Sequence, residues 1–306
     1  MRRSALQPRR PPRQHLRATP QALVDLRIRS ERPVPAITTL AAVGDIMLGR
    51  RVGNRHRADP GAPLKPLARR LAAAEITVGN FESTLSTAGS PTQGGDSFAA
   101  SPRVIPGLRA AGFDLLSLAN NHVGDYGGRA PRQTVDRFHS ANIDTVGAGR
   151  DLAAARRPAV IQRDGVRVGF IAVDSIGETP SATRNRAGTN RLNMPPRTGP
   201  LNRTQLRRIT SDIRALNKRV DVVVVLTIGV LSTRIVQSQA SESLHAPSPA
   251  PALIWSSADI RTEYRAWRWP GRQSSCTRSA TSFSTWTFRP KLGKGSFWRL
   301  CFGATG

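Results

Sequence analysis

Three apolar runs in this chain each stop abruptly at a short polar cluster, and that pattern constrains the fold more than any other feature. Residues 37–43 run into Gly44-Asp45-Ile46-Met47, and residues 76–78 into Gly79-Asn80-Phe81-Glu82. Residues 113–118 run into Ala119-Asn120-Asn121-His122, with Asp125-Tyr126-Gly127 close behind. Helix-length stretches separate the runs at 66–74, 104–111 and 128–141, the last with Val135 and Phe138 on one face. Beyond them, 144–146 reads as a strand and 159–173 as a hairpin turning at Asp164-Gly165. Residues 201–217 read as an amphipathic helix with Leu206, Ile209, Ile213 and Leu216 in register. The almost purely β-branched run 221–226 suits the centre of a sheet covered on both faces. The order β-α-β-α-β-α-β predicts an α/β fold with parallel strands.

Ligands of open α/β sheets bind outside the carboxyl ends of the strands, so three polar strand ends on neighbouring strands converge on one site. Carboxylate, amide and imidazole groups suit a hard or borderline divalent cation. Such a cation polarises a phosphoryl or acyl oxygen and can generate hydroxide near neutral pH. Each residue alone has a plainer meaning. Asp45, Asn80 and Asn121 serve equally well as helix caps or in Asx turns, and Glu82 as a first-turn helix charge. Asn120-Asn121-His122 is more telling, because that run directly after an apolar strand has no packing purpose.

Charge is a weaker guide. The formal net charge of +26 and pI of about 11.8 point towards nucleic acid or an anionic surface. More than half of the excess, however, sits in two flanks. Residues 1–37 and 228–306 each carry a net +7. The first flank, 1–36, is rich in Arg and Pro without periodicity and reads as a basic disordered segment or an upstream start. The second holds all five tryptophans and both cysteines, Cys276 and Cys301, and its periodicity fades. No nucleic-acid recognition motif accompanies the charge, so no nucleic-acid partner is expected. Residues 1–36 lack the apolar core of a secretory signal, and no stretch reaches the roughly 18–20 apolar residues of a membrane span. As written, the chain is expected in the cytoplasm.

Taken together, Gly-Asp-Ile-Met-Leu-Gly-Arg, Gly-Asn-Phe-Glu-Ser and Ser-Leu-Ala-Asn-Asn-His with its following Asp-Tyr-Gly resemble the CapA family of poly-γ-glutamate capsule synthesis. That family is similar to the calcineurin-like metallophosphatases. The resemblance covers roughly residues 39–227. It implies a sandwich of two sheets flanked by helices. It also implies Asp45 and Glu82 as ligands of a divalent metal (Mn, Mg or Zn), with Asn121 bridging or ligating. His122 would be the general acid near the substrate, Asp125 would orient His122 or a loop, and Asn80 and Asn120 would support them. The implied partners are an anionic polymer or a phosphorylated substrate, and other capsule-synthesis proteins. Members of the family are often membrane-associated or at the cell surface. Met47 stands where the phosphatase Asp-x-His motif has its second His, and a thioether is a poor ligand for hard metals.

Past residue 226 the resemblance implies three further motifs, and none stands in the chain. Permitted codons for residues 228–233, 257–262 and 276–283 recover all three in one shared alternative frame: Trp-Gly-Thr-Glu-Tyr, Gly-Gly-His-Pro-His and His-Ser-Leu-Gly-Asn-Phe. Residues 228–306 therefore read as an out-of-frame, non-native tail. The metallophosphatase-like domain at 37–227 is expected to be incomplete at its C-terminus. The strand at 221–226 is expected to lack its sheet neighbours, and the chain as written to be inactive.

Overall fold

The structure, a computed structural model, describes residues 38–86 and 88–229 together with strands at 252–256, 265–266, 283–288 and 301–303. Along the chain the elements are β1 (Thr38–Asp45), α1 (Arg50–Arg55), α2 (Lys65–Ala72), β2 (Ile76–Asn80), α3 (Ile105–Ala110) and β3 (Leu115–Ser117). There follow α4 (Ala130–Ser140), β4 (Asp144–Val146), β5 (Ala148–Gly149), α5 (Leu152–Arg156), β6 (Ala159–Arg163), β7 (Val166–Asp174) and β8 (Gly188–Thr189). The last are α6 (Arg203–Asn217), β9 (Val222–Ile228), β10 (Ala252–Ser256), β11 (Arg265–Ala266), β12 (Phe283–Phe288) and β13 (Cys301–Gly303).

The strand–helix alternation produces the parallel pairing it predicts. β1, β2, β3 and β4 lie side by side and parallel. β12 pairs antiparallel with the free edge of β1, and β13 with β12. A second sheet has the order β11-β10-β9-β7-β6, in which β9 runs parallel to both β7 and β10. The β6–β7 hairpin turns at Asp164 and Gly165, with φ of 50° and 80°. That is the doubly left-handed turn Asp-Gly favours, because its twist matches the flanking strands.

Period-two patterning decides how the sheets stack. Val168, Phe170 and Ala172 on β7 and Val222, Val224 and Leu226 on β9 meet Leu40, Ile76, Val78 and Leu115 of the first sheet. The intervening residues Ile171, Val223 and Val225 face outwards onto Ile213 and Leu216 of α6. This is why the β9 run is apolar throughout: both of its faces are covered. On the far side of the first sheet, Val43 and Leu116 pack with Leu71 of α2, Leu108 of α3 and Phe138 of α4. Phe81 meets Phe138 edge to face at 4.9 Å. Burying each such side chain contributes about 1.5–3 kcal/mol. The result is helix on sheet on sheet on helix, the flanked two-sheet sandwich that the resemblance implies.

One expectation needs correction. β9 has a neighbour on each edge, β7 and β10, so the 221–226 strand is not left unpaired. Its backbone N–H and C=O groups need partners on both sides, and residues 252–256 supply the second set. A five-residue strand set apart from any alternating pattern leaves no periodic signal to read. The expectations for residues 1–36, and for most of 228–306, fall outside the described residues.

Candidate active site

The carboxyl ends of β1, β2 and β3 bring the polar clusters together. A register shift at the end of β1 leaves Asp45 opposite Asn80 as cross-strand partners. The Asn80 amide donates Nδ2–H to Asp45 Oδ1 at 2.8 Å and also to Glu82 Oε2. Asn120 locks this arrangement from below. Its Nδ2 donates to Asn80 Oδ1 at 3.0 Å and to the Phe81 carbonyl at 2.8 Å, while its Oδ1 accepts from the N–H groups of His122 and Val123. With both ends of its amide used, Asn120 is fully buried and fixes the turn that follows β3.

That turn presents His122. Its Nδ1 lies 2.7 Å from Asp125 Oδ2, and its Nε2 lies 3.7 Å from Glu82 Oε1. The same Asp125 oxygen accepts the Phe98 N–H at 2.6 Å, and Gln93 Nε2 donates to Asp125 Oδ1. The Phe98 ring stacks on the imidazole with centroids 3.8 Å apart and planes 10° apart. Position, tilt and one ring nitrogen of His122 are thus all held, and Nε2 is turned towards Glu82.

Glu82 is the electrostatic oddity. Burial pushes its carboxyl up to about 8, and the neighbouring Asp45 adds to this, as do Asp174 and Asp125, against the hydrogen bond from Asn80. Asp174 lies at the end of β7, so the second sheet sends a carboxylate towards the same place. Unlike Glu82, Asp174 is well supplied with donors: Ile176 N–H at 2.9 Å, Gly177 N–H at 3.2 Å, Thr189 Oγ1 at 2.8 Å and Arg191 Nε at 3.1 Å.

Six of the residues singled out from sequence, Asp45, Asn80, Glu82, Asn120, His122 and Asp125, form one connected cluster. Asn121 turns elsewhere: its Nδ2 donates to Glu178 Oε2 at 2.8 Å, and Glu178 in turn pairs with Arg197 at 3.1 Å. Sequence reasoning does not single out Gln93, Phe98, Asp174 or Glu178. Asp174 carries the same signal as Asp45, an apolar strand ending in Asp. Phe98 and Gln93 lie in a loop with no pattern of their own. Among the described residues no three His, Cys, Asp or Glu side chains form a group that could hold a metal ion. No described helix is long and apolar enough to cross a membrane.

A family model for the bacterial capsule synthesis protein PGA_cap matches residues 39–245 and so runs past Thr227. Capsule biosynthesis protein CapA of Bacillus anthracis is 30% identical over 163 residues, covering 51% of this chain and 39% of that protein. PGA biosynthesis protein CapA of Bacillus subtilis is 29% identical over 161 residues, covering 50% and 41%. A probable polyglutamine synthesis accessory protein of Mycobacterium tuberculosis is 40% identical over 92 residues, covering 28% and 24%. Each match spans less than half of the relative's own length.

Proposed function

The chain belongs to the PGA_cap family of bacterial capsule synthesis proteins, and from that premise we propose that it acts in making an anionic polyglutamate capsule through a metallophosphatase-like hydrolytic site. The observation that carries this is the His122–Asp125 pair aimed at Glu82. Asp125 accepts from Nδ1 and leaves Nε2 as the atom that gives or takes a proton. Phe98 keeps that nitrogen aimed by holding the ring plane. A phosphoryl or carboxyl-derived leaving group brought against Nε2 would lie within proton-transfer reach of it.

The carboxylates of Asp45 and Glu82 suit a hard divalent cation in chemistry, and among the described residues a third donor would have to be a group other than His, Cys, Asp or Glu. Asp45 and Glu82 offer carboxylate oxygens, and Glu82 is pushed up to about 8 by burial and by a neighbouring carboxylate, a strain that a cation relieves. Asp45 and Glu82, with Asn121 turned from Glu178, are the groups that would hold it. Bound there, the cation would supply Lewis acidity towards a phosphoryl or acyl oxygen. Glu82 would hold the cation through its carboxylate, and Asn80 would keep the two carboxylates at a fixed spacing.

A second reading is a capsule-assembly scaffold of the same fold without catalysis. One observation favours it: Asn80 Nδ2 already bridges Asp45 and Glu82. Elemental analysis and turnover separate the two. In a frame-restored protein the hydrolytic reading expects Mn²⁺ retained and lost in Asp45→Ala, with metal-dependent phosphoesterase turnover abolished in His122→Ala, while the chain as written is expected to show no turnover. Equal metal content in wild type and Asp45→Ala removes the metal. Metal retained without turnover leaves the scaffold. The shifted frame is a separate proposal, tested by sequencing the gene across codons 226–230.

A further inference from the structure

We propose that Arg50 is the oxyanion-binding group of this site, taking a phosphoryl or carboxylate group of the substrate beside His122. The inference rests on the preceding assignment of His122 to the reacting end of the site. It goes further in naming which residue selects the charge of the ligand.

The cluster is otherwise acidic. Glu82 and Asp125 flank His122, Asp45 is joined to Glu82 through Asn80, and Arg191 is tied to buried Asp174 at 3.0 Å. An anionic substrate approaching such a site needs a cation near the imidazole. Arg50 stands one ring away from it: its guanidinium lies over the Phe98 ring at 5.1 Å from the centroid, and that ring stacks on His122.

Two features show that the backbone is held to put it there. Arg50 has φ of 49°, the left-handed region, which costs a side-chain-bearing residue about 1–3 kcal/mol. The preceding Gly49 packs so closely on the Phe98–Ala99 stretch of chain that a Cβ would sit 2.7 Å from the Ala99 carbonyl oxygen. A surface arginine merely covering an aromatic ring requires neither.

Arg50 is also available. Its ion-pair partner is Asp96, at 3.3 Å, with side-chain exposures of 41% and 78%. Exposed pairs of this kind contribute about 0–1 kcal/mol, so an incoming oxyanion can displace Asp96. The planar fork of donors matches phosphate and carboxylate oxygens in pairs, which a lysine cannot do.

The test is calorimetric titration of the whole chain with inorganic phosphate in EDTA, so that it does not depend on metal. Arg50→Gly removes the guanidinium and relieves the left-handed backbone, so its melting temperature should equal or exceed that of the wild type. Phosphate affinity is expected to fall at least tenfold in Arg50→Gly, to fall less in Arg50→Lys, and to rise several-fold in Asp96→Asn. Competition by a phosphomonoester or by a short oligoglutamate then distinguishes the two sources of oxyanion. Equal affinity in wild type and Arg50→Gly overturns the proposal, as does the absence of binding in both wild type and Asp96→Asn. Loss of phosphate in Arg50→Gly together with unchanged metal content in Asp45→Ala upholds Arg50 and removes the metal reading.

Discussion

Glu82 and Asp174 are both buried carboxylates near one edge of the sandwich, and the protein treats them in opposite ways. Around Asp174 it places two backbone N–H groups, a threonine hydroxyl and a guanidinium. Around Glu82, among the described residues, it places an amide donor from Asn80, the His122 Nε2 at 3.7 Å and three carboxylates, those of Asp45, Asp174 and Asp125. Burial pushes both groups up, but only at Asp174 does a charged partner oppose it. The fold therefore has the means to satisfy a buried acid and withholds them at Glu82. A buried carboxyl short of donors, in a cluster that also aims an imidazole, is what supports the functional site proposed above.

The largest loss is expected on removing Asp174. Asp174→Ala leaves the Arg191 guanidinium buried without its carboxylate, and we expect a loss of about 3–5 kcal/mol in urea denaturation. A loss below about 1 kcal/mol would mean that the donors around Asp174 are not what holds the end of β7.

Glu82 should behave with the reverse sign. Above pH 4.5 the unfolded chain releases this proton, while the metal-free folded protein keeps it until about 8. The folded state thus binds more protons through that window, and stability falls as pH rises across it. Glu82→Gln is expected to flatten the fall, gaining on the order of 2–4 kcal/mol over wild type near pH 9 and little near pH 5. Parallel pH profiles of melting temperature in the two proteins would show that Glu82 carries no such strain.

The smallest effect is expected at Asp221, which shares a guanidinium partner with Asp174 in kind but not in setting. It pairs with Arg167 at 3.1 Å, with side-chain exposures of 31% and 49%. Asp221→Asn should cost no more than about 1 kcal/mol by the same denaturation assay, because water competes for both charges. A cost like that of Asp174→Ala would show that pairing, not burial, sets the difference.

Much of the fold is legible in local spacing. Strand runs, helices and the Asp164-Gly165 hairpin follow from it, and β1, β2, β3 and β4 pair in the order that alternation implies. Asp45, Asn80, Glu82, Asn120, His122 and Asp125 can be gathered because each ends or follows an apolar strand, and parallel strands place such ends on one edge. Asp174 obeys the same rule, but it belongs to the other sheet, and strand spacing does not reveal that the two sheets bring their ends together. Phe98 and Gln93 are beyond reach, since the loop around the 3-10 turns at Gly94–Asp96 and Pro102–Val104 has no periodicity to betray which side chain turns inwards.

Local period and composition report which segments are buried on one face, on two or on none, and which chemical groups stand at their ends. It takes the packed fold to lay Phe98 flat on His122, to put Arg50 over Phe98, to turn Asn121 to Glu178 and to bring Asp174 near Glu82. Those contacts join residues tens of positions apart. Their geometry is set by how two sheets stack and loops close over them, and no window along the chain contains both partners.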